Sequence, residues 1–174
     1  MKLYYGTGAC SLSPHIALRE LGLPFELVKV DTRVGKTEQG TDYRTVNPKG
    51  AVPTLELDDG QRLTEGPAIV QYLADRKPGS GLAPPAGTME RYRLQEWLNY
   101  VTSELHKRFG SLFSPKVQPE WKALVREQLA EQLAFVAGSL EGKQYLLGGN
   151  QPTVADFYLW VVLRSEEHTS ELQS

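Results

Sequence analysis

The pair Val52-Pro53, followed twelve residues later by Glu65-Gly66, combines residue types and spacing suited to holding a ligand. A strand entered through proline has lost one backbone donor, and the residue before it is held extended. The N–H and C=O of Val52 are then free to pair with a ligand's peptide backbone. A helix opening at Glu65-Gly66 offers unpaired N–H groups, a positive dipole end and one carboxylate. Those are the groups that grip a zwitterionic amino-acid end, so together the two dipeptides suggest a site for a small peptide. Cys10, the only cysteine, precedes a helix whose dipole would favour its thiolate. Taken alone, such a cysteine is more often a small buried hydrophobe. Asn99, Ser103 and His106 recur at helical spacing and would share one face, short and polar enough to hydrogen-bond a ligand. The plainer reading of His106 is a surface histidine, and of Glu104, Lys107 and Arg108 ordinary surface charge.

Periodicity and turn chemistry set these residues on a definite series of elements. Lys2 to Tyr5 reads as a strand, broken by Gly6-Thr7-Gly8. Ser11 to Leu21 reads as a helix with Ser11 as its cap and Pro14 tolerated in its first turn. Phe25 to Val30 is a second strand, and Lys36 to Val46 a weak helix. Thr54 to Leu57 and Gln61 to Leu63 flank Asp58-Asp59-Gly60, a hairpin signal. The helix after Glu65 closes near Lys77. The order βαβ then αββα fits a thioredoxin-like layout on a four-stranded mixed sheet. In that layout the first strand–helix loop carries the redox cysteine. Position 13 is Ser13, so no dithiol is available, and a mixed disulfide with an external thiol is the natural alternative. Tyr5, Ser11 and His15 are the neighbours able to donate to the sulfur.

Glycine and proline crowd residues 78–87, which read as a linker between an α/β domain (1–77) and an all-α domain (88–163). Leu94, Leu98, Val101 and Leu105 repeat at helical spacing, as do Trp121, Leu124, Val125, Leu129, Leu133, Val136 and Leu140. A further helix starts at Thr153, where Asp156 stands in the capping-box position.

A net charge of −2 without a basic block argues against nucleic acid and anionic membranes as partners. No apolar run reaches the ~20 residues of a spanning helix, and the start lacks a signal-peptide core. A single cysteine fits a reducing, cytoplasmic setting. The three histidines and one cysteine show no metal-ligand spacing.

The motifs, in order, resemble those of beta-class bacterial glutathione S-transferases. They run from Gly8-Ala9-Cys10-Ser11-Leu12 through Asn47-Pro48-Lys49-Gly50, Val52-Pro53, Leu63-Thr64-Glu65-Gly66 and Gln71-Tyr72-Leu73-Ala74-Asp75. They continue in Glu96-Trp97-Leu98-Asn99-Tyr100, Ser103-Glu104-Leu105-His106-Lys107 and Ala155-Asp156. The resemblance implies a glutathione transferase fold, a homodimer, a cytoplasmic detoxification enzyme, and glutathione as co-substrate with no metal. The enzyme would direct the glutathione thiolate at electrophilic small molecules or disulfides. By the same resemblance Cys10 meets the glutathione sulfur and can form a mixed disulfide with it. Val52, beside a cis Pro53, pairs with the cysteinyl part, and Glu65 and Gly66 hold the γ-glutamyl end. Asn99, Ser103, Glu104, Leu105 and His106 come from the helical domain, with His106 near the sulfur; Tyr5 matches a family tyrosine. Relatives place a basic residue on the glycyl carboxylate where this chain has Gly35, and here the lysine is Lys36. Position 66 is often serine in relatives; Gly66 keeps the N–H and loses a hydroxyl worth about 1 kcal/mol. Two other readings stay open: a non-catalytic interaction module of the same fold, and a glutaredoxin-like or dehalogenating activity on the same scaffold.

After Leu163 the apolar pattern stops. Residues 164–174 look like the translation of a common sequencing-library adapter, although Arg164 itself matches relatives. The expectation is a chain that lacks its C-terminal helices and ends in an artefactual tail, so that Glu166 and His168 carry no function. The helix from Thr153, apolar nearly all round, then exposes surface worth about 25 cal/mol per Å², lowering stability.

Overall fold

The computed structural model describes residues 1–170, with side chains to Arg164. Residues 165–174 of the expected tail, Glu166 and His168 among them, lie outside the described side chains. The chain divides into two compact units, Met1–Ala83 and Pro84–Ser174.

The first unit is built on a five-stranded sheet in the order β3-β2-β1-β4-β5. Its strands are β1 (Lys2–Tyr5), β2 (Glu26–Asp31), β3 (Lys36–Thr37), β4 (Thr54–Glu56) and β5 (Arg62–Thr64). β1 pairs with β2 in parallel, and the remaining pairs are antiparallel. Side chains alternate across the sheet. Leu3 and Leu55, directly opposite each other, are fully buried, as are Leu18 of α1 (Leu12–Glu20) and Ile69, Val70 and Leu73 of α2 (Gly66–Asp75). On the other face Tyr4, Val28 and Val30 gather with Tyr43 and Val46 into a second cluster, against which Val52 packs. Each such aliphatic side chain contributes roughly 1.5–3 kcal/mol by leaving water.

Two sequence expectations need correction. The sheet has five strands rather than four. The weak helix over Lys36 to Val46 is instead the short strand β3 followed by a single 3-10 turn, Tyr43–Thr45. The cause is local. Asp31 accepts from the N–H groups of Arg33 and Val34, and Gly35 takes a φ of 74°, so the chain turns back to pair Thr37 with Val30. Asp42 then caps the 3-10 turn by accepting from the Arg44 N–H at 3.0 Å. The hairpin at Asp58-Asp59-Gly60 forms as expected, closed by Leu57 N–H to Gln61 O at 2.8 Å.

The second unit is helical: α3 (Met89–Tyr100), α4 (Lys107–Phe113), α5 (Pro119–Ser139) and α6 (Val154–Ser170). Between α3 and α4 the helix widens into a π segment, Val101–His106. Its core is Leu94, Leu98, Val101, Leu105 and Phe109 against Val125, Leu129 and Val136 of α5 and Tyr158, Leu159 and Val162 of α6. The α5 stripe is narrower than its spacing suggests, because Trp121 and Leu124 near its start are exposed. Trp160 of α6 is also exposed, beneath the Arg164 guanidinium. The capping box forms: Asp156 Oδ2 accepts from the Thr153 N–H (2.7 Å) and hydroxyl (2.8 Å), and Oδ1 from the Leu146 N–H at 2.8 Å.

Candidate functional site

Strand register alone assembles a row of groups at one end of the first unit's sheet. β1 ends at Tyr5, where the loop bearing Cys10 begins. Tyr4 lies opposite Thr54, so Val52-Pro53 enters β4 at that same end. Thr54 lies opposite Thr64, which puts Glu65 there too. On the other side Lys36 lies opposite Asp31, the last residue of β2. Across the sheet the order is therefore Lys36 at one edge, the Cys10 loop and Val52 in the middle, and Glu65 at the other edge. At about 4.8 Å per strand the outer strands are ~19 Å apart, a span suited to an extended tripeptide met by long side chains. Carboxyl ends of parallel strands are where open α/β sheets bind ligands.

The middle of the row is tightly built. Ser11 was expected to cap α1, but its buried hydroxyl turns back to the Gly6 backbone, accepting from its N–H at 3.1 Å. That bond folds the loop so that the Cys10 thiol donates to Val52 O at 3.6 Å. Gly6 permits the approach, since a Cβ there would sit 3.3 Å from Val52 Cγ2. Burial, more than any charge, pushes the Cys10 thiol up to about 11, and the Glu65 carboxylate adds to this against the backbone N–H groups of Cys10 and Ser11. The helix end therefore does not make Cys10 a thiolate at neutral pH; desolvation outweighs it. Tyr5 is half-buried at the strand's end, and Lys36 is exposed.

Val52 is held from behind by residues whose role the sequence did not reveal. The Val52-Pro53 bond is cis. The preceding carbonyl, Ala51 O, accepts from Asn47 Nδ2 at 2.7 Å and from the Tyr43 hydroxyl at 3.0 Å. Tyr43 OH also meets Thr54 Oγ1 at 2.8 Å, and both residues are buried. Among the described residues nothing accepts from the Val52 N–H. The signal for Asn47 was present in Asn47-Pro48-Lys49-Gly50, but only as a turn.

Glu65 takes a φ of 69°, a left-handed conformation that costs a non-glycine residue about 1 kcal/mol or more. Its carbonyl accepts from Ala68 and Ile69, opening α2, while Pro67 has no N–H to offer. Its carboxylate pairs with Lys49 Nζ at 2.5 Å, and Lys49 also donates to Thr64 Oγ1 at 3.1 Å.

In the helical unit the π segment carries Ser103, Glu104, Leu105 and His106. The wider turn spoils the expected common face. Asn99 and Ser103 are exposed, Leu105 is fully buried, and His106 is half-buried with Nδ1 at 2.8 Å from the Tyr158 hydroxyl. Burial first, then Lys107, lowers the His106 pKa below its usual 6.5. Glu104 is more than surface charge: it pairs with Arg108 at 2.8 Å and accepts from Ser103, while Arg108 reaches Gln128 at 2.6 Å.

Comparison with known proteins places this geometry in context. Residues 7–76 match the family described as "Glutathione S-transferase, N-terminal domain", and residues 119–165 the one described as "Glutathione S-transferase, C-terminal domain". Glutathione S-transferase GstA of Escherichia coli O157:H7 is 51% identical over 164 residues, covering 94% of this chain and 81% of that protein. Among solved structures, a ternary complex of BphK, a bacterial GST, superposes with a TM-score of 0.95 at 59% identity, covering 98% of this chain and 84% of that one. A sphingomonad glutathione S-transferase complexed with glutathione gives 0.89 at 52% identity, covering 94% and 81%.

Proposed function

Since this chain belongs to the glutathione S-transferase family, we propose that the row at the end of its sheet is a glutathione site and that the enzyme is of the beta class. The observation that carries the assignment is the order of groups along the sheet: a thiol against Val52 in the middle, a carboxylate with Gly66 at one edge, an ammonium at the other. Glutathione has the complementary order, with its sulfur between a zwitterionic γ-glutamyl end and a glycyl carboxylate. Val52 then offers its N–H and C=O to the cysteinyl backbone beside Pro53, Glu65 and Gly66 take the γ-glutamyl end, and Lys36 takes the glycyl carboxylate. Tyr5 and Cys10 lie beside the sulfur. From the helical unit, Asn99, Ser103, Glu104, Leu105 and His106 are assigned to glutathione on the family resemblance alone.

The chemistry is attack by the glutathione sulfur. Its proton leaves, the thiolate bonds to an electrophilic carbon, and the leaving group departs with the bonding pair. Cys10, held as a thiol, turns its one S–H from Val52 O to that thiolate, which also frees the Val52 carbonyl for the ligand backbone. With oxidised glutathione, the Cys10 thiolate instead attacks one sulfur, forming a mixed disulfide and releasing one reduced glutathione. Small electrophiles are the second substrates, a homodimer is the assembly, and the cytoplasm is the compartment in keeping with one unpaired cysteine. No helix among the described residues is long and apolar enough to cross a membrane. The residues after Leu163 are proposed to be adapter-derived, on their sequence; reading the gene at its own locus tests this.

Retention on immobilised glutathione, followed by intact mass after treatment with oxidised glutathione, tests the reading. Retention and one added glutathionyl group, lost in Cys10→Ala, are expected. Neither retention nor adduct would favour a non-catalytic module.

A further inference from the structure

We propose that Lys49 is the carboxylate-reading half of a clamp for the α-amino-acid end of the ligand, with Glu65 as the ammonium-reading half. The inference rests on the glutathione reading above. Lys49 Nζ lies 2.5 Å from Glu65 Oε1 and 3.1 Å from Thr64 Oγ1, at the edge of the row where the amino-acid end would lie.

The lysine is aimed rather than loose. Its N–H donates to Asn47 Oδ1 at 3.1 Å, and Asn47 Nδ2 holds Ala51 O. Arg44 closes the same turn by donating to Pro48 O at 3.1 Å, its guanidinium packed over Gly50, where a Cβ would sit 3.3 Å from Arg44 Cζ. One turn therefore fixes both the backbone entering Val52 and the backbone of Lys49, whose ammonium is held in turn by Glu65 and Thr64. Glu65 is equally constrained, by its left-handed φ of 69°.

The pair itself is expendable. Both side chains are more than half exposed, at 56% and 64%, and an ion pair so open to water contributes little to stability. Its value lies in selectivity. A ligand with only an ammonium or only a carboxylate must break the pair and leave one charge unmatched. An α-amino acid carries both charges on one carbon, so it exchanges one ion pair for two. The ammonium goes to Glu65, and the carboxylate goes to Lys49 with the Gly66 N–H at the positive end of α2.

Calorimetric titration with reduced glutathione, and with the analogue whose γ-glutamyl α-carboxylate is an amide, separates the possibilities. In Lys49→Gln, glutathione is expected to bind about ten-fold more weakly. Lys49→Arg should recover most of that loss. The amide analogue should bind the parent chain and Lys49→Gln equally weakly. Undiminished glutathione binding by Lys49→Gln overturns the proposal, as does an equal loss for glutathione and the amide. An unsubstituted chain that fails to bind glutathione would instead bring down the underlying site assignment, an outcome visible in the parent arm alone.

Discussion

The Nδ1 of His106 and the hydroxyl of Tyr158 lie 2.8 Å apart, with the rings edge to face at a centroid distance of 5.9 Å. With burial holding the imidazole below its usual pKa, His106 is neutral at neutral pH. A neutral imidazole at this distance pairs with the hydroxyl in either tautomer; the expected one has the Tyr158 hydroxyl donating to Nδ1 and the proton on Nε2. In that tautomer His106 presents a hydrogen-bond donor at Nε2. Nitrogen NMR should find that single tautomer, and Tyr158→Phe should convert it to a mixture. An unchanged spectrum in the variant would remove Tyr158 from this role. The sign of the stability effect follows from the lowered pKa. The contribution of His106 is fully present above the unfolded value of 6.5 and is lost as pH falls through the folded value, so His106→Gln should flatten the acid limb of stability.

Cys10 should behave as a slow thiol. With its value pushed up to about 11, its alkylation by iodoacetamide should climb roughly ten-fold per pH unit well into the alkaline range. A plateau near neutrality would mean that the helix end dominates after all. The unfolded chain should level off near the ordinary thiol value. The same shift makes the fold lose stability as pH rises from 9.0 towards about 11, a loss that Cys10→Ala should abolish.

Glu65 trades stability for its position. Glycine accepts a φ of 69° without strain, so Glu65→Gly should raise the melting midpoint, by an amount equivalent to about 1 kcal/mol. The same change should abolish retention on immobilised glutathione. A variant that melts lower, or still binds, contradicts the functional reading of this conformation.

Asp156 satisfies three donors at once: the Thr153 N–H, the Thr153 hydroxyl and the Leu146 N–H. Asp156→Ala should therefore destabilise the helical unit by ~2–3 kcal/mol, since it strands partly buried groups as well as removing a cap. Denaturant midpoints measure this directly. Asp156→Asn, which keeps one acceptor oxygen, should fall between.

What could be read from the chain alone was whatever depends on near neighbours. Asp58-Asp59-Gly60 specified its hairpin, Thr153 and Asp156 their cap, and the spacing of Leu94, Leu98, Val101 and Leu105 a buried helix face. Cys10, Val52 and Glu65 were recognisable because their backbone settings are local: a strand–helix loop, a residue before proline, a helix start. Tertiary structure decided what depends on distant partners. Ser11 turned to Gly6 rather than capping its helix, and Lys36 to Val46 gave up helix for a strand because β2 offered an edge. The Cys10 thiol was raised by burial, which no dipole argument from sequence could weigh. Tyr158 reaches His106 across 52 residues of chain, and Lys49 reaches Glu65 across 16, so neither pairing leaves a periodic trace. Hydrogen bonds and desolvation act through space, whereas the patterns legible in a sequence are those that repeat along it.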